Sequence, residues 1–203
     1  MSLYADYVYP RILDRFMGAF GELRAPTLAG ARGDVLELGF GTGLNLPHYP
    51  AGVTRLTTVD PLDALRERVL ARIQAAPFPV DVHHLDADLR LPFDAGRFDC
   101  ITVTWSLCTI PDPVAALREA RRVAKPEAPL LFIEHGRSED PKVARWQDWW
   151  NPVQRVIACG CNVNRPIDEI VRASGFRLEQ LERFFADRTP RMLGEMYRGV
   201  ARA

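Results

Sequence analysis

The stretch that decides the fold of this chain is Val35-Leu36-Glu37-Leu38-Gly39-Phe40-Gly41-Thr42-Gly43. A short apolar run ends in three glycines at alternate positions, and a polar stretch able to form a helix follows. This pattern predicts a strand that runs into a tight loop, where the missing side chains let a ligand approach the backbone. The loop is not a dinucleotide-binding fingerprint, because Leu44 stands where the third small residue is needed, and the chain has no P-loop motif.

Length and composition narrow the class of protein. The 203 residues, 47% of them apolar, suit a single α/β domain over residues 1–203. Lysine plus arginine equals aspartate plus glutamate, at 26 each, so no overall positive charge attracts nucleic acid. No apolar run is long enough for a membrane span and no signal-peptide pattern opens the chain, which predicts a cytoplasmic protein.

The cysteines predict neither a disulfide framework nor a metal site. There are four, and they come late in the chain: Cys100, Cys108, Cys159 and Cys161. The C-x-C pair at 159–161 has no second ligand pair beside it, so it makes a poor zinc site. Buried free thiols are the expectation.

Beyond the glycine loop (Gly39–Gly43), apolar runs alternate with helix-like stretches. Strands are predicted at 34–38, 56–60, 80–85, 98–105 and 130–134, with helices at 63–75 and 112–123 between them. This order predicts a parallel, doubly wound, Rossmann-like sheet that binds ligands at the carboxyl ends of its strands. After a helix at 167–173, strands near 176–184 and 195–202 are expected to form a hairpin-like edge. The sheet then has seven strands, the last of them antiparallel.

Two segments fall outside this alternation. Within residues 1–32, the stretch 3–20 predicts a helix that is either a lid carrying Tyr4 and Tyr7 over a ligand or a packing helix. Residues 21–33 are expected to form a connection. The insertion 136–165 contains Trp146, Trp149 and Trp150, which either wall a substrate pocket or, for at least two of them, belong to the core.

The spacing of the motifs indicates binding roles. Amides at Gly39, Gly41 and the following helix N-terminus suit a carboxylate. Asp60 lies 21 residues beyond Gly39 at the end of an apolar run, where an acidic side chain can accept both hydroxyls of a ribose. The alternative is that Asp60 caps the next helix.

Taken together, these features resemble class I S-adenosylmethionine-dependent methyltransferases of the "type 11" kind. More narrowly, the chain is similar to small methyltransferases related to animal alkyl thiol S-methyltransferases. The motifs that carry this resemblance are Gly41-Thr42-Gly43-Leu44-Asn45 with Tyr49-Pro50, Val59-Asp60-Pro61, Leu107-Cys108, Glu134-His135, Trp146-Gln147-Asp148 with Pro152, and Gly160-Cys161 with Arg165. Two features depart from the pattern: the turn Lys125–Pro129 replaces the usual R/K-P-G-G, and the hydrophobic N-terminal anchor of the animal members is missing.

The resemblance implies a cofactor and a set of residues that bind it. The cofactor is S-adenosyl-L-methionine, with S-adenosyl-L-homocysteine as product. Asp86 is expected to accept from the adenine amino group, the Ala87 amide to reach a ring nitrogen, and Leu62 and Leu107 to sandwich the ring. The remaining expected contacts are Glu37, Phe40, Gly43, Asn45, Pro61 and Thr104. Ordinary turn chemistry is the alternative for Asp86.

His135, at the end of the fifth predicted strand, is the candidate catalytic residue, as a base or as a group that orients the acceptor. The alternative is a structural histidine. The expected reaction is methylation of a small hydrophobic thiol, without nucleic acid and without favoured membrane contact. The alternatives are a phospholipid or quinone-precursor methyltransferase, for which residues 1–20 would supply the membrane surface, and a module that binds S-adenosylmethionine without turnover.

Overall fold

The computed structural model of the protein describes residues 8–62, 66–187 and 189–203. Its centre is one seven-stranded sheet in the order β3-β2-β1-β4-β5-β7-β6, in which β7 runs antiparallel to both of its neighbours. This confirms the predicted Rossmann-like sheet. The strands are β1 Gly33–Leu38, β2 Val53–Val59, β3 Val80–His83, β4 Cys100–Thr104, β5 Pro129–His135, β6 Arg177–Phe185 and β7 Glu195–Arg202.

Helices cover both faces of the sheet, and a short 3-10 turn at Leu46–His48 follows the glycine loop. Asp112 caps α4 through a side-chain bond from the Ala115 amide, and Pro113 opens that helix, as the sequence predicted. The described helices are α1 Tyr9–Gly18, α2 Gly21–Leu28, α3 Arg66–Gln74, α4 Pro113–Val123, α5 Pro141–Ile157 and α6 Ile167–Ala173.

The central strands are buried on both faces, which explains their almost continuous apolar sequences. Every residue of β4 and of β5 is buried. The strand order reverses between β1 and β4, which pair in parallel. A crevice opens at such a reversal, beyond the carboxyl ends of the strands, and ligands of open α/β sheets bind there.

The segment at residues 21–33 is not the connection that its Gly and Pro residues suggested. Residues Gly21–Leu28 form α2, with Pro26 inside it. The helix persists because Arg24, Thr27 and Leu28 are buried and it packs on β5. Tertiary burial therefore outweighs poor local propensity here.

The expectation that at least two tryptophans of the insertion belong to the core was wrong. Trp146 is 48% exposed and Trp149 is 71% exposed, while Trp150 is partly buried. In α5 the buried side is formed by Val143, Ala144, Gln147 and Gln154. At 3.6 residues per turn, Trp146 and Trp149 fall on the outward side together with Val153 and Val156, which are also exposed.

The N-terminal helix α1 is fixed to the domain by one acidic side chain. Asp14 is buried and accepts hydrogen bonds from Arg68, Arg72 and the Thr42 hydroxyl. Ile12 and Phe16 of the same helix are exposed. Tyr4 and Tyr7, the proposed lid residues, lie outside the described residues.

The unusual turn before β5 lies at the other end of the sheet from the crevice. It borders a small surface hollow with Gly33 and Gly52, at the amino ends of β1 and β2. Glu127 has a left-handed φ of 61°, a conformation that favours the glycine of the more usual sequence. The altered turn therefore affects no residue of the crevice.

Candidate active site

A cavity of about 420 Å³ lies at the carboxyl ends of β1, β2 and β4. Most of the residues expected to contact the cofactor line it: Glu37, Gly39, Phe40, Gly41, Asn45, Asp60, Pro61, Leu62, Asp86, Ala87 and Thr104. Gly43 and Leu107 are not part of this described lining. A side chain at Gly43 would meet the Phe40 ring, and Leu107 is fully buried in the main core.

The glycine loop follows β1 and brings bare backbone to the cavity. Gly39 has a φ of 77°, and a side chain there would collide with Ser106 on the loop after β4. Gly41 has a φ of 55°, and a side chain there would meet nothing within 4 Å. The amides of both residues already donate inside the protein, Gly39 to the Val59 carbonyl at 2.8 Å and Gly41 to Asp60 at 2.7 Å. The glycines therefore serve the site by leaving space.

Asp60 closes the loop onto β2. Its two oxygens accept from the Gly41 amide at 2.7 Å and the Leu62 amide at 2.8 Å. Burial raises the pKa of this carboxyl, and the two amides oppose that shift because they favour the charged form. Each oxygen can accept a second hydrogen bond, and Asp60 lines the cavity, so it can still accept from a ligand hydroxyl.

A buried polar network forms the floor of the cavity below the glycine loop. Glu37 accepts from the Asn45 amide at 2.7 Å and from the Tyr49 hydroxyl at 3.0 Å. Arg24 donates to the Asn45 oxygen at 2.6 Å. Burial raises the pKa of Glu37 to about 7 and lowers the pKa of Arg24 to about 10. The floor thus contains one acidic and one basic group, which suit a ligand that carries one positive and one negative charge.

Arg24 is a functional candidate that the sequence did not indicate. It is 4% exposed, lines the cavity and stacks on Trp105, with its guanidinium carbon 4.7 Å from the ring centre. Its Nε has no partner among the described residues. No sequence motif could have found it, because it lies in α2, outside the strand–helix alternation.

The adenine contacts expected from the sequence lie at the rim of the cavity. Asp86 is exposed and Ala87 is buried, in the loop after β3. Leu62 is 62% exposed. The Asp86 carbonyl accepts from the Leu89 amide, so the turn chemistry named as its alternative is also present.

Helix α1 adds a wall that the sequence left undecided. Leu13, Asp14 and Met17 line the cavity from this helix. Trp105 completes this side; it has a left-handed φ of 49°, and its indole N–H has no partner among the described residues. Strained backbone at a non-glycine residue beside a cavity is typical of functional sites.

His135 lies behind the cavity, at the end of β5. It is buried, and its Nε2 is 3.1 Å from the Cys161 sulfur. It is not among the residues that line the described cavity. Burial by itself lowers the pKa of His135, but the neighbouring Cys108 and Glu134 together outweigh it and raise the pKa above its usual value. The structure thus brings His135 to two cysteines.

Comparison with known proteins identifies the family of the chain. The methyltransferase domain family matches residues 4–181, which is most of the chain. The chain belongs to this family. As a methyltransferase domain it is similar to the thiol S-methyltransferase TMT1B of Homo sapiens, at 30% identity over 168 residues, covering 81% of this chain and 68% of that protein. It is also similar to a demethylmenaquinone methyltransferase of Clavibacter sepedonicus, at 31% identity over 121 residues, or 60% of this chain and 48% of that protein.

Solved structures agree with the methyltransferase fold. The [4+2]-cyclase SpnF superposes with a TM-score of 0.69 at 21% identity, covering 91% of this chain and 80% of that one. A SAM-dependent methyltransferase from Aquifex aeolicus superposes with a TM-score of 0.63 at 16% identity, covering 95% of this chain and 97% of that one. These likenesses concern the fold alone. Family and fold together make this protein a class I methyltransferase that uses S-adenosylmethionine.

The cavity fits that cofactor on its own features. Gly41 leaves room that a side chain would fill, and Asp60 offers free acceptor positions for a ribose. The buried floor presents Glu37 and Arg24 to an amino acid group that has one positive and one negative end. Residues of the chain are therefore present for each polar part of S-adenosylmethionine.

Proposed function

We propose that this enzyme transfers the methyl group of S-adenosylmethionine to a small hydrophobic thiol. The observation that carries the proposal is the apolar wall of the cavity beside the polar floor. Leu13 and Met17 of α1, Trp105 after β4 and Ala158 after α5 form this wall, which we call the acceptor side. We call the polar residues at the ends of β1, β2 and β3 the cofactor side.

On the cofactor side, we assign each residue to one part of S-adenosylmethionine. Asp60 accepts from the ribose hydroxyls, and Asp86 with the Ala87 amide contacts the adenine. Glu37 faces the amino group and Arg24 the carboxylate, because opposite charges attract strongly where water is excluded. When bound, the cofactor supplies a methyl group already activated by its positive sulfur.

On the acceptor side, the protein mainly aligns the thiol and excludes water. In-line transfer of the methyl group requires the donor and acceptor atoms to lie about 3–3.5 Å apart. Holding them at that distance supplies much of the rate enhancement. An ordinary thiol has a pKa of about 8.5, so some thiolate exists at neutral pH without a base. An apolar wall suits such a soft, weakly solvated nucleophile better than it suits a sugar or a phosphate.

The role of His135 as a base remains a proposal. Its Nε2 lies 3.1 Å from the Cys161 sulfur, so this nitrogen already has a partner within the protein. His135→Ala should lower turnover by about 10²-fold or more if the imidazole takes the proton of the thiol. A loss below about threefold would assign the histidine to a structural role.

A panel of acceptors tests the proposed function. The purified enzyme is incubated with S-adenosylmethionine and matched alkyl thiols, amines and phenols, and the S-adenosylhomocysteine product is measured. The thiols should react, with a rate that rises between about pH 6 and 9 as thiolate forms. Activity on amines or phenols but on no thiol would overturn the acceptor class while leaving the methyltransferase assignment intact.

A second candidate is methylation of a quinone precursor or a phospholipid, and one surface favours it. The outward side of α5 exposes Trp146, Trp149, Val153 and Val156 in one stripe, which suits contact with a lipid interface. No described helix is long and apolar enough to cross a bilayer. Co-sedimentation with anionic liposomes, compared between the wild type and Trp149→Ser with Val156→Ser, separates the two candidates. A thiol enzyme acting in water should stay in the supernatant in both cases.

A further inference from the structure

Three side chains from distant parts of the chain meet behind the acceptor side. Cys108 follows β4, His135 ends β5 and Cys161 follows α5, and all three are buried. Their sulfur and nitrogen atoms lie within 4.8 Å of one another, and the His135 Nε2 is 3.1 Å from the Cys161 sulfur. We call this group the thiol cluster.

We propose that the thiol cluster is a binding site for a soft transition-metal ion, with zinc as the expected occupant. Two thiolates and one imidazole form a ligand set that zinc prefers in proteins. A tetrahedral zinc ion with the usual bond lengths sets its sulfur ligands about 3.8 Å apart, and sulfur and nitrogen about 3.6 Å apart. The distance from His135 Nε2 to the Cys161 sulfur is about 0.5 Å shorter than the zinc value, and the other ligand atoms, all within 4.8 Å of one another, are at most about 1 Å too far apart.

The charges of the thiol cluster also favour an ion. Binding releases one proton from each thiol, and the two thiolates then neutralise the two positive charges of zinc. The buried site would therefore carry no net charge, which avoids the cost of an unpaired charge in the interior.

The surroundings hold the ligands in place. Asn162 donates to the Cys108 carbonyl through its amide at 2.8 Å and through its side chain at 2.9 Å. Arg165 donates to the Leu107 and Ile110 carbonyls, and the Gln154 side chain bonds to the Cys161 sulfur. Residues that are fixed in this way before the ion binds lose little freedom when it does.

The ion would join two of the segments that frame the acceptor side, the loop after β4 and the end of α5, to the end of β5. Trp105 and Ser106 precede Cys108, and Ala158 and Cys159 precede Cys161; all four of these flanking residues line the cavity. Cys159 itself is not part of the thiol cluster. The ligands are therefore not the C-x-C pair, a poor zinc site from the sequence, but Cys161, Cys108 and His135, whose proximity no sequence spacing could reveal.

Metal binding is measured without cofactor or acceptor, so its outcome is independent of the proposed function. The whole protein is reduced, stripped with a chelator, loaded with Zn²⁺ or Co²⁺ and dialysed. We expect about one equivalent of zinc by elemental analysis. The cobalt form should show intense visible bands of tetrahedral coordination and a thiolate-to-cobalt charge-transfer band whose intensity corresponds to two thiolates.

Matched variants locate the site. Cys108→Ser, Cys161→Ser and His135→Ala should each lower zinc retention by about tenfold or more, whereas Cys159→Ser should retain it. Loss in Cys159→Ser but not in Cys108→Ser would overturn the proposal in favour of the C-x-C pair. If a variant does not fold, the visible spectrum of the cobalt-loaded wild type decides whether two thiolates bind the ion. No metal retained by the fully reduced protein, or an octahedral spectrum without the thiolate band, would each overturn the proposal.

Discussion

The two sides of the cavity are built in different ways. Apart from Arg24 of α2, the cofactor side consists of loops that directly follow β1, β2 and β3, closed by short hydrogen bonds such as that from the Gly41 amide to Asp60. The acceptor side combines α1, the loop after β4 and the end of α5, and its members are far apart in sequence. One side is thus assembled from local rules and the other from tertiary packing. Variants on the cofactor side should therefore affect the KM for S-adenosylmethionine, and variants on the acceptor side the KM for the methyl acceptor.

The largest expected effect is on the cofactor side, at Gly39. Gly39→Ala places a side chain against Ser106 and in a left-handed conformation, and should cost about 2 kcal/mol or more of unfolding free energy. The matched control is Gly41→Ala, which has the same kind of φ but open space around it and should cost about 1 kcal/mol. Urea unfolding measures both. Equal losses would mean that the packing of the loop against Ser106 contributes nothing.

The next effect concerns cofactor affinity. Asp60→Ala should weaken binding of S-adenosylhomocysteine by about 1.5–3 kcal/mol, because it removes a charge-assisted acceptor and frees two loop amides. The control Asp81→Ala removes an exposed carboxylate paired with Arg55 and should change affinity little. Isothermal titration measures the dissociation constants. An unchanged value for Asp60→Ala would leave this residue with a capping role only.

A third effect depends on pH. Because the pKa of Glu37 is raised to about 7, this group gains a proton as the pH falls from 8 to 6. Loss of its negative charge should weaken the attraction for the cofactor amino group, by up to about tenfold over that range. Glu37→Gln is neutral throughout and should remove this dependence. A pH profile of the dissociation constant that is identical in both proteins would contradict the assigned role.

In the protein without cofactor, the contribution of Glu37 to the free energy of unfolding should change with pH in the opposite direction to the cofactor affinity. A carboxyl with a raised folded pKa binds its proton more tightly when folded than when unfolded, so its contribution to stability is greatest at low pH. That contribution should be lost as the pH rises from about 4.5 to about 7. The difference in unfolding free energy between the wild type and Glu37→Gln, measured across this window, isolates it.

The smallest effect concerns the attachment of α1. Asp14→Ala removes the bonds to Thr42, Arg68 and Arg72, and should lower kcat/KM by about fivefold, or roughly 1 kcal/mol, with little change in melting temperature. A lid that excludes water would behave in this way. Asp94→Ala, an exposed carboxylate away from the cavity, is the control. A large fall in melting temperature without loss of activity would instead make α1 a packing helix.

The contrast between local rules and tertiary packing also explains how much of the fold and of the site could be predicted from the sequence. The sheet, the glycine loop and Asp60 could be predicted because strand patterns, turn residues and fixed spacings act over a few residues. The seven strands with an antiparallel last strand, expected from the hairpin-like edge and the family resemblance, were confirmed, whereas the order of the strands came from the structure. The residue roles inside the cavity stay predictions until they are measured.

The other features depended on information that local patterns do not carry. Gly21 and Pro26 indicated a connection, but burial of Arg24 and Leu28 keeps a helix there. The tryptophans of α5 could not be oriented without knowing which side of the helix packs. Cys108 and Cys161 meet only because β4 and α5 end at the same place, more than 50 residues apart in sequence.

One kinetic experiment tests the central claim, that one cavity has a cofactor side and an apolar acceptor side for a thiol. Methyl transfer to a single alkyl thiol is measured for the wild type, Asp60→Asn and Trp105→Phe, varying each substrate in turn. We predict that Asp60→Asn raises KM for S-adenosylmethionine by about tenfold with an unchanged KM for the thiol, and that Trp105→Phe does the reverse. If both variants change the same constant, or if the thiol is not methylated at all, the account is contradicted.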